Sequence, residues 1–217
     1  MSRQRRAQHR LGPQRNPAID EAVLRATREL LVESGYAGTS IDAIAARAGV
    51  GRPAIYRRWA SKAHIVHDAV YPVMESENVS DLEIGAEIAR LTHGAVALFG
   101  SPAAREAVPG LMSEGRSSAT LRQTLVTDQL EVIREELGRR ISQAIEAGEL
   151  REGVDPDVLL DVVAGAAIFA QSARDVQDQA SLAASLVDIV LNGVLPRRAD
   201  GASPEQLEPN TGRGVNT

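Results

Sequence analysis

Thr39 to Lys62, TSIDAIAARAGVGRPAIYRRWASK, holds two short helical patterns separated by a glycine turn, with positive charge gathered on the second. Thr39 and Asp42 stand at the Thr-x-x-acid spacing of a capping box, which predicts a helix starting near Ser40. Ile41, Ile44, Ala45 and Ala48 give that helix an apolar stripe, and Gly49 follows where a left-handed residue ends it. Pro53, its φ already suited to a first helical turn, opens a second helix that runs to about Trp59 before Ser61 offers a new N-cap. At 100° per residue Ile55 and Trp59 share the core face of this second helix, and Pro53 and Arg57 point the opposite way beside Ala54 and Tyr56. Arg47, Arg52, Arg57, Arg58 and Lys62 are basic, and no acidic residue occurs from Ala43 to His67. A helix-turn-helix needs this layout: one helix braces across a DNA backbone while the next enters the major groove by its N-terminal residues.

The same residues resemble the TetR-type bacterial transcriptional regulators. The motifs that carry the resemblance are Gly35-Tyr36-Ala37-Gly38-Thr39-Ser40, Ala48-Gly49-Val50, Ile55-Tyr56-Arg57-Arg58-Trp59 and Ser61-Lys62, within roughly residues 17–75. Gly51 departs from the Ser or Thr usual there; a glycine N-cap costs only a few tenths of a kcal/mol, roughly, against those residues. The resemblance implies DNA contacts from Arg52, Tyr56, Arg57 and Lys62. Arg52, at the helix start, suits a bidentate pair with guanine, and Pro53 and Ala54 suit a thymine methyl. Tyr56 and Lys62, the chain's single lysine, suit phosphates; Arg58 points sideways as a backbone contact, and Thr39 or Ser40 can cap and touch phosphate together. For Tyr56 the alternative is a hydroxyl tucked into the head's core; Trp59 reads as core.

Charge divides the 217-residue chain. Residues 1–62 carry 12 basic and 5 acidic side chains, a balance of +7, and residues 63–217 carry 12 and 24, a balance of −12. A basic head on an acidic body fits a nucleic-acid binder whose larger part stays off the polyanion. There is no cysteine, which excludes disulfides, Fe–S clusters and thiol redox sensing. Residues 1–15 are basic without the apolar core of a signal peptide and read as a disordered arm, free to track phosphates. The longest apolar stretch, Val158 to Ala170, contains Asp161 and is too short to span a bilayer, so the expectation is a cytoplasmic chain with no membrane segment.

The expected class is all-α: a three-helix head over 16–62, a connector helix over 63–78 and a helical body over 79–196, ahead of a disordered tail over 197–217. Asn16 and Pro17 start the first helix, Ile19, Val23, Ala26 and Leu30 face inward, and Gly35 ends it. Pro72 predicts a bend in the connector. His64 and His67 lack an evident third ligand, so no metal and no cofactor is expected. Body helices are expected at about 81–99, 102–114, 118–147, 156–173 and 179–195, with Gly100, Gly115 and Gly148 as stops. The longest carries one apolar face through Val126, Leu130, Ile133, Leu137, Ile141 and Ala144.

The last two helices are apolar nearly all round, which calls for cover on more than one face. Val158, Val162, Ala166 and Phe169 on one, with Leu182, Leu186, Ile189 and Gly193 on the other, are assigned to a four-helix interface of a homodimer, as the resemblance also implies; central helices of a monomer are the alternative. Such symmetry matches a palindromic double-stranded DNA operator. The resemblance further implies a small-molecule effector in the body. Leu91, Ala95, Leu98, Phe99, Leu111, Met112 and Leu125 outline an aliphatic pocket with His93 and Arg116 as polar contacts, so the effector is expected to be apolar or aliphatic; the same residues equally suit plain core. No convergent catalytic groups occur, and Gly49-x-Gly51 has no preceding strand, so an enzyme is not expected. The function indicated is a dimeric repressor released by an effector; an activator, an architectural DNA binder and a pure dimerisation module are the other readings.

Overall fold

The structure, a computed structural model, describes residues 16–71, 82–123 and 128–192. These form ten helices and no strand among the described residues: α1 (Pro17–Gly38), α2 (Ile41–Ala48), α3 (Arg52–Tyr56), α4 (Lys62–Val70), α5 (Ile84–Gly100), α6 (Pro102–Ser117), α7 (Ala119–Arg122), α8 (Asp128–Glu146), α9 (Pro156–Ser172) and α10 (Gln179–Asn192). Several expectations fall on residues outside these: the 1–15 arm, the Pro72 bend with the 72–78 part of the connector, Val126, Leu125, Gly193 and the 197–217 tail.

Asn16 caps α1 by accepting from Ala18 N, and Val23, Ala26 and Leu30 are buried along its inward stripe. Gly35 breaks the helical run with φ 67° and ψ 178°, a conformation essentially confined to glycine. The break frees the Gly35 carbonyl, which accepts from both the backbone N–H and the hydroxyl of Thr39. That corrects the expected capping box. Thr39 is 2% exposed and its hydroxyl is spent on Gly35, so Ser40 caps α2 instead, its Oγ accepting from Ala43 N. Gly49 ends α2 in the left-handed region at φ 68° and ψ 30°.

One core cluster joins Val23, Leu30, Ile44, Ile55, Trp59 and Ile65 and holds α1 to α4 as the head. A second runs from Leu31 of α1 and Ala63, Val66 and Val70 of α4 into α5 and α6, with Ala167 of α9 and Ala183 of α10. Because this cluster takes in helices of both head and body, head and body share packed surface rather than a bare linker. Tyr36 lies directly against Gly110 of α6, where any Cβ would collide with its ring. A third cluster at the far end of the body collects Ile84, Ile88, Leu137, Ile141 and Ala144.

Two body boundaries differ from expectation. Gly115 does not stop α6, which continues to Ser117 because Gly115 keeps a negative φ. The helix expected over 118–147 is divided: Ser118 caps the short α7 through Leu121 N, and α8 begins at Asp128. In α8 the predicted apolar face holds where it is described, with Leu137, Ile141 and Ala144 buried. Asp155 and Pro156 start α9 as expected, the carboxylate accepting from Asp157 N and Val158 N.

Candidate nucleic-acid interface and effector cavity

The outer side of the head is built by α3. This helix ends at Tyr56, short of the expected Trp59, and its core side is fixed by Ile55 and by Trp59 just beyond it, both buried, so Tyr56 is thrown outward at 56% exposure, with Arg52, Pro53 and Arg57 also exposed. Gly51 gives α3 no side-chain cap. Arg52 Nε lies 2.5 Å from Asp42 Oδ1 across the turn, which braces the helix-turn-helix and holds the guanidinium at its leading edge. Among the described residues Arg57 makes no ion pair. Arg47, counted among the basic residues of this stretch, is instead a strut between α2 and α1: it grips both carboxylate oxygens of Glu33 at 2.8 and 2.7 Å and reaches Glu29 at 3.4 Å. The Arg47 guanidinium beside it holds the Glu33 carboxyl below its usual range.

Two further expected contacts have other partners. Arg58 is nearly buried and donates to Asp20 of α1 and to the Ala54 carbonyl, 3.0 Å away, so it ties α3 to α1 instead of facing a DNA backbone. With Thr39 buried, the outward set reduces to Ser40, Arg52, Pro53, Ala54, Tyr56 and Arg57, and Lys62 stands at its edge. Lys62 Nζ donates to the Tyr36 carbonyl at 3.0 Å and sits 3.9 Å from the centre of the Tyr36 ring, a cation–π contact that fixes the ammonium there.

Behind the head, α4 connects this surface to the body. Trp59 Nε1 donates to Asp68 Oδ2 at 2.7 Å, and the other oxygen of Asp68 lies 3.3 Å from His67 Nδ1. Burial by itself would raise the Asp68 carboxyl; the hydrogen bonds from His67 and Trp59 outweigh it and keep the group ionised below its ordinary value. The His67 ring packs at 4.8 Å on Tyr71, which meets Phe99 edge-on at 6.2 Å. Burial pushes the Tyr71 phenol up to about 12, so it stays neutral at any physiological pH.

His67 and Tyr71 form one wall of a cavity of about 230 Å³. Leu111, Met112, Gly115 and Arg116 of α6 also line it, with Arg122 at the end of α7. Of the residues expected to line a pocket, Leu111, Met112 and Arg116 are thus brought together, and Phe99 backs them through Tyr71. The others are placed elsewhere. Leu91 packs on the distant third cluster, Ala95 and Leu98 pack on the central core, and His93 is exposed with its ring nitrogen on the Ala89 carbonyl. His67, Tyr71, Gly115 and Arg122 were not expected in the site. His67 on the last turn of α4 and Tyr71 capping its end stand four residues apart, and that spacing is the signal that brings their rings together. His64 is turned away onto Ser61 at 2.8 Å, and among the described residues no group of three metal-ligating side chains occurs.

On the far side of the body Val158, Val162 and Phe169 of α9 and Ile189 of α10 are exposed, Phe169 by 63%, while Ala166 is half-buried between them. Leu182 and Leu186 are half-buried and pack on the central core. No described helix is long and apolar enough to cross a membrane.

A three-helix head presenting a short basic helix, braced on a larger helical body, defines a helix-turn-helix DNA-binding transcriptional regulator. Two family models match the chain, that of the bacterial regulatory proteins of the tetR family over residues 23–69 and that of the tetracyclin repressor-like C-terminal domain over residues 84–190. The chain belongs to the TetR family. The HTH-type transcriptional regulator YdeS of Bacillus subtilis is 26% identical over 160 residues, 73% of this chain and 80% of that one. The fold is similar to that of the transcriptional regulator FadR from Bacillus subtilis in complex with stearoyl-CoA (TM-score 0.64, 19% identity, 81% of this chain and 99% of that). It is also similar to Salmonella enterica GusR (TM-score 0.60, 20% identity, 84% and 98%).

Proposed function

We propose that this regulator is a homodimeric repressor that occupies a palindromic operator and is released when a small molecule enters the cavity between α4 and α6. The observation that carries the reading is the path from that cavity to the DNA-facing helix. His67 lines the cavity, its neighbour Asp68 holds the indole of Trp59, and Trp59 ends the stretch that begins at Arg52. A ligand that displaces His67 or Tyr71 shifts α4, and with it the anchor of the recognition helix. Release follows if the ligand binds one head spacing better than the other. Arg52, Tyr56 and Arg57, with Pro53 and Ala54, read the groove, while Ser40 and Lys62 hold phosphate. Val158, Val162, Ala166, Phe169 and Ile189 form the dimer contact, setting two heads on successive major-groove faces. That the FadR relative was solved with stearoyl-CoA supports a body that accepts an apolar-tailed effector.

The test is selection of bound sequences from a random duplex pool by the full-length protein at a stated salt concentration. A palindromic motif bound some ~10³-fold or more above bulk DNA is expected. Uniform enrichment sinks the reading.

A further inference from the structure

We propose that the cavity between α4, α6 and α7 takes an amphipathic anion, with a short apolar chain against Tyr71, Leu111 and Met112 and a carboxylate or phosphate head held by Arg116 and Arg122. This rests on the repressor reading above and names the effector's chemical class.

Charge is the first argument. The residues lining the cavity include two arginines and no acidic side chain, in a part of the chain whose balance is −12. Elsewhere in the body arginines are matched to carboxylates: Arg90 and Arg140 to Glu87, Arg105 to Asp175, Arg134 to Asp157, and Arg139 to Glu136. Among the described residues Arg116, Arg122, Arg151 and Arg174 make no ion pair, and of these only Arg116 and Arg122 share a cavity. Two guanidiniums with open fork-shaped donor sets suit a carboxylate or phosphate better than a neutral polar group. Tyr71, kept neutral by burial, adds no negative charge to the wall.

Shape is the second. At about 230 Å³ the cavity is smaller than the roughly 300–1,000 Å³ of ordinary small-molecule pockets, so the buried part of the ligand is short. Gly115 makes the room: a Cβ there meets nothing nearer than Arg122 Cβ at 3.9 Å. Met112 and Arg116 also line an open groove with Pro109, Ser113 and Ser117. Arg116 therefore stands where the enclosed space gives way to solvent. An ionised head stays partly hydrated there while the chain is buried, which avoids the cost of burying an unpaired charge.

The experiment is calorimetric titration of the full-length protein with octanoate, octyl phosphate, octanol and octylammonium, with the emission of Trp59, the single tryptophan, followed in parallel. At least one anion should bind about tenfold or more tighter than octanol, a difference of about 1.4 kcal/mol, and octylammonium should bind no better than octanol. The two anionic arms distinguish a carboxylate head from a phosphate head. The Arg116→Gln/Arg122→Gln variant should lose the preference for the anion and keep the affinity for octanol. Gly115→Leu should lose all four ligands while keeping its helical circular dichroism and its DNA binding. Equal affinity for anion and octanol, or an anion preference that survives the double Gln variant, overturns the proposal. So does the absence of any binding in a protein that selects a palindrome, and the repressor reading then still stands. Anion binding by a protein with no operator preference upholds the site and removes the repressor.

Discussion

At Gly35 and Gly49 the head depends on backbone that other residues adopt only at a cost. Gly49 has φ 68° with nothing within 4 Å of a built Cβ, so Gly49→Ala should cost only the left-handed penalty of about 1–2 kcal/mol. Gly35, at ψ 178°, lies in a region close to forbidden for other residues, and its carbonyl anchors Thr39. Gly35→Ala should therefore lower the thermal midpoint more than Gly49→Ala; the reverse order in a melting experiment contradicts this account. Ser40→Ala removes the cap of α2 and should cost about 1 kcal/mol. On the DNA side Arg52→Ala should relax preference at one symmetric base pair per half-site, worth about 1–3 kcal/mol of discrimination. An unchanged selected motif would remove Arg52 from the readers. Lys62→Ala should instead weaken binding to all sequences and reduce the salt slope by about one. Arg58→Ala belongs to another class, because its partners are Asp20 and the Ala54 carbonyl: it should lower the stability of the head.

In the proposed mechanism α4 is the element that would carry coupling. It packs its apolar side into both the head and central cores, and at its C-terminal end Asp68 and His67 link Trp59 to the cavity wall. Asp68→Asn keeps the shape and weakens the charge-assisted bond to the indole. It should leave operator affinity near the wild-type value without effector and reduce the effector-induced loss of affinity, which a binding titration with and without ligand measures. The same carboxyl shapes the acid limb of stability. Its folded pKa lies below the ordinary 3.8, so its contribution is complete well above pH 3.8 and is lost as pH falls through the folded value. Asp68→Asn should flatten that limb; an unaltered acid unfolding profile would show that the His67 and Trp59 bonds add nothing.

For the whole molecule, the proposed dimer contact lies on the exposed residues of α9 and α10. Val158, Val162, Phe169 and Ile189 are large apolar side chains exposed on these two neighbouring helices, and a second copy of the chain would cover them. Phe169→Asp should convert the dimer to a monomer by sedimentation while retaining helicity, and should abolish tight operator binding because a single head has half the contacts. A monomeric wild type would move these helices to a role inside one subunit.

The local elements were legible because their causes are local. Asn16-Pro17, Gly49, Pro53 and Asp155-Pro156 act within one helical turn of themselves, and the apolar spacing of α1, α2 and α8 names the buried face without reference to a partner. The all-α class and the helix-turn-helix follow from those signals alone. Competition over distance decided the rest. Thr39 and Ser40 are both good caps, and only the carbonyl released at the Gly35 break consigns one to the core. Arg58 looks like a DNA ligand, and Arg47 like one more charge of the basic stretch, until the fold sets Asp20 and Glu33 against them. Leu91, His93, Leu111 and Arg116 were expected in one pocket but do not share a place: Leu91 packs on the third cluster, His93 bonds the Ala89 carbonyl, and only Leu111 and Arg116 reach the cavity. The cavity exists where His67 and Tyr71 meet Gly115, more than forty positions further along the chain, through a core that no single segment encodes.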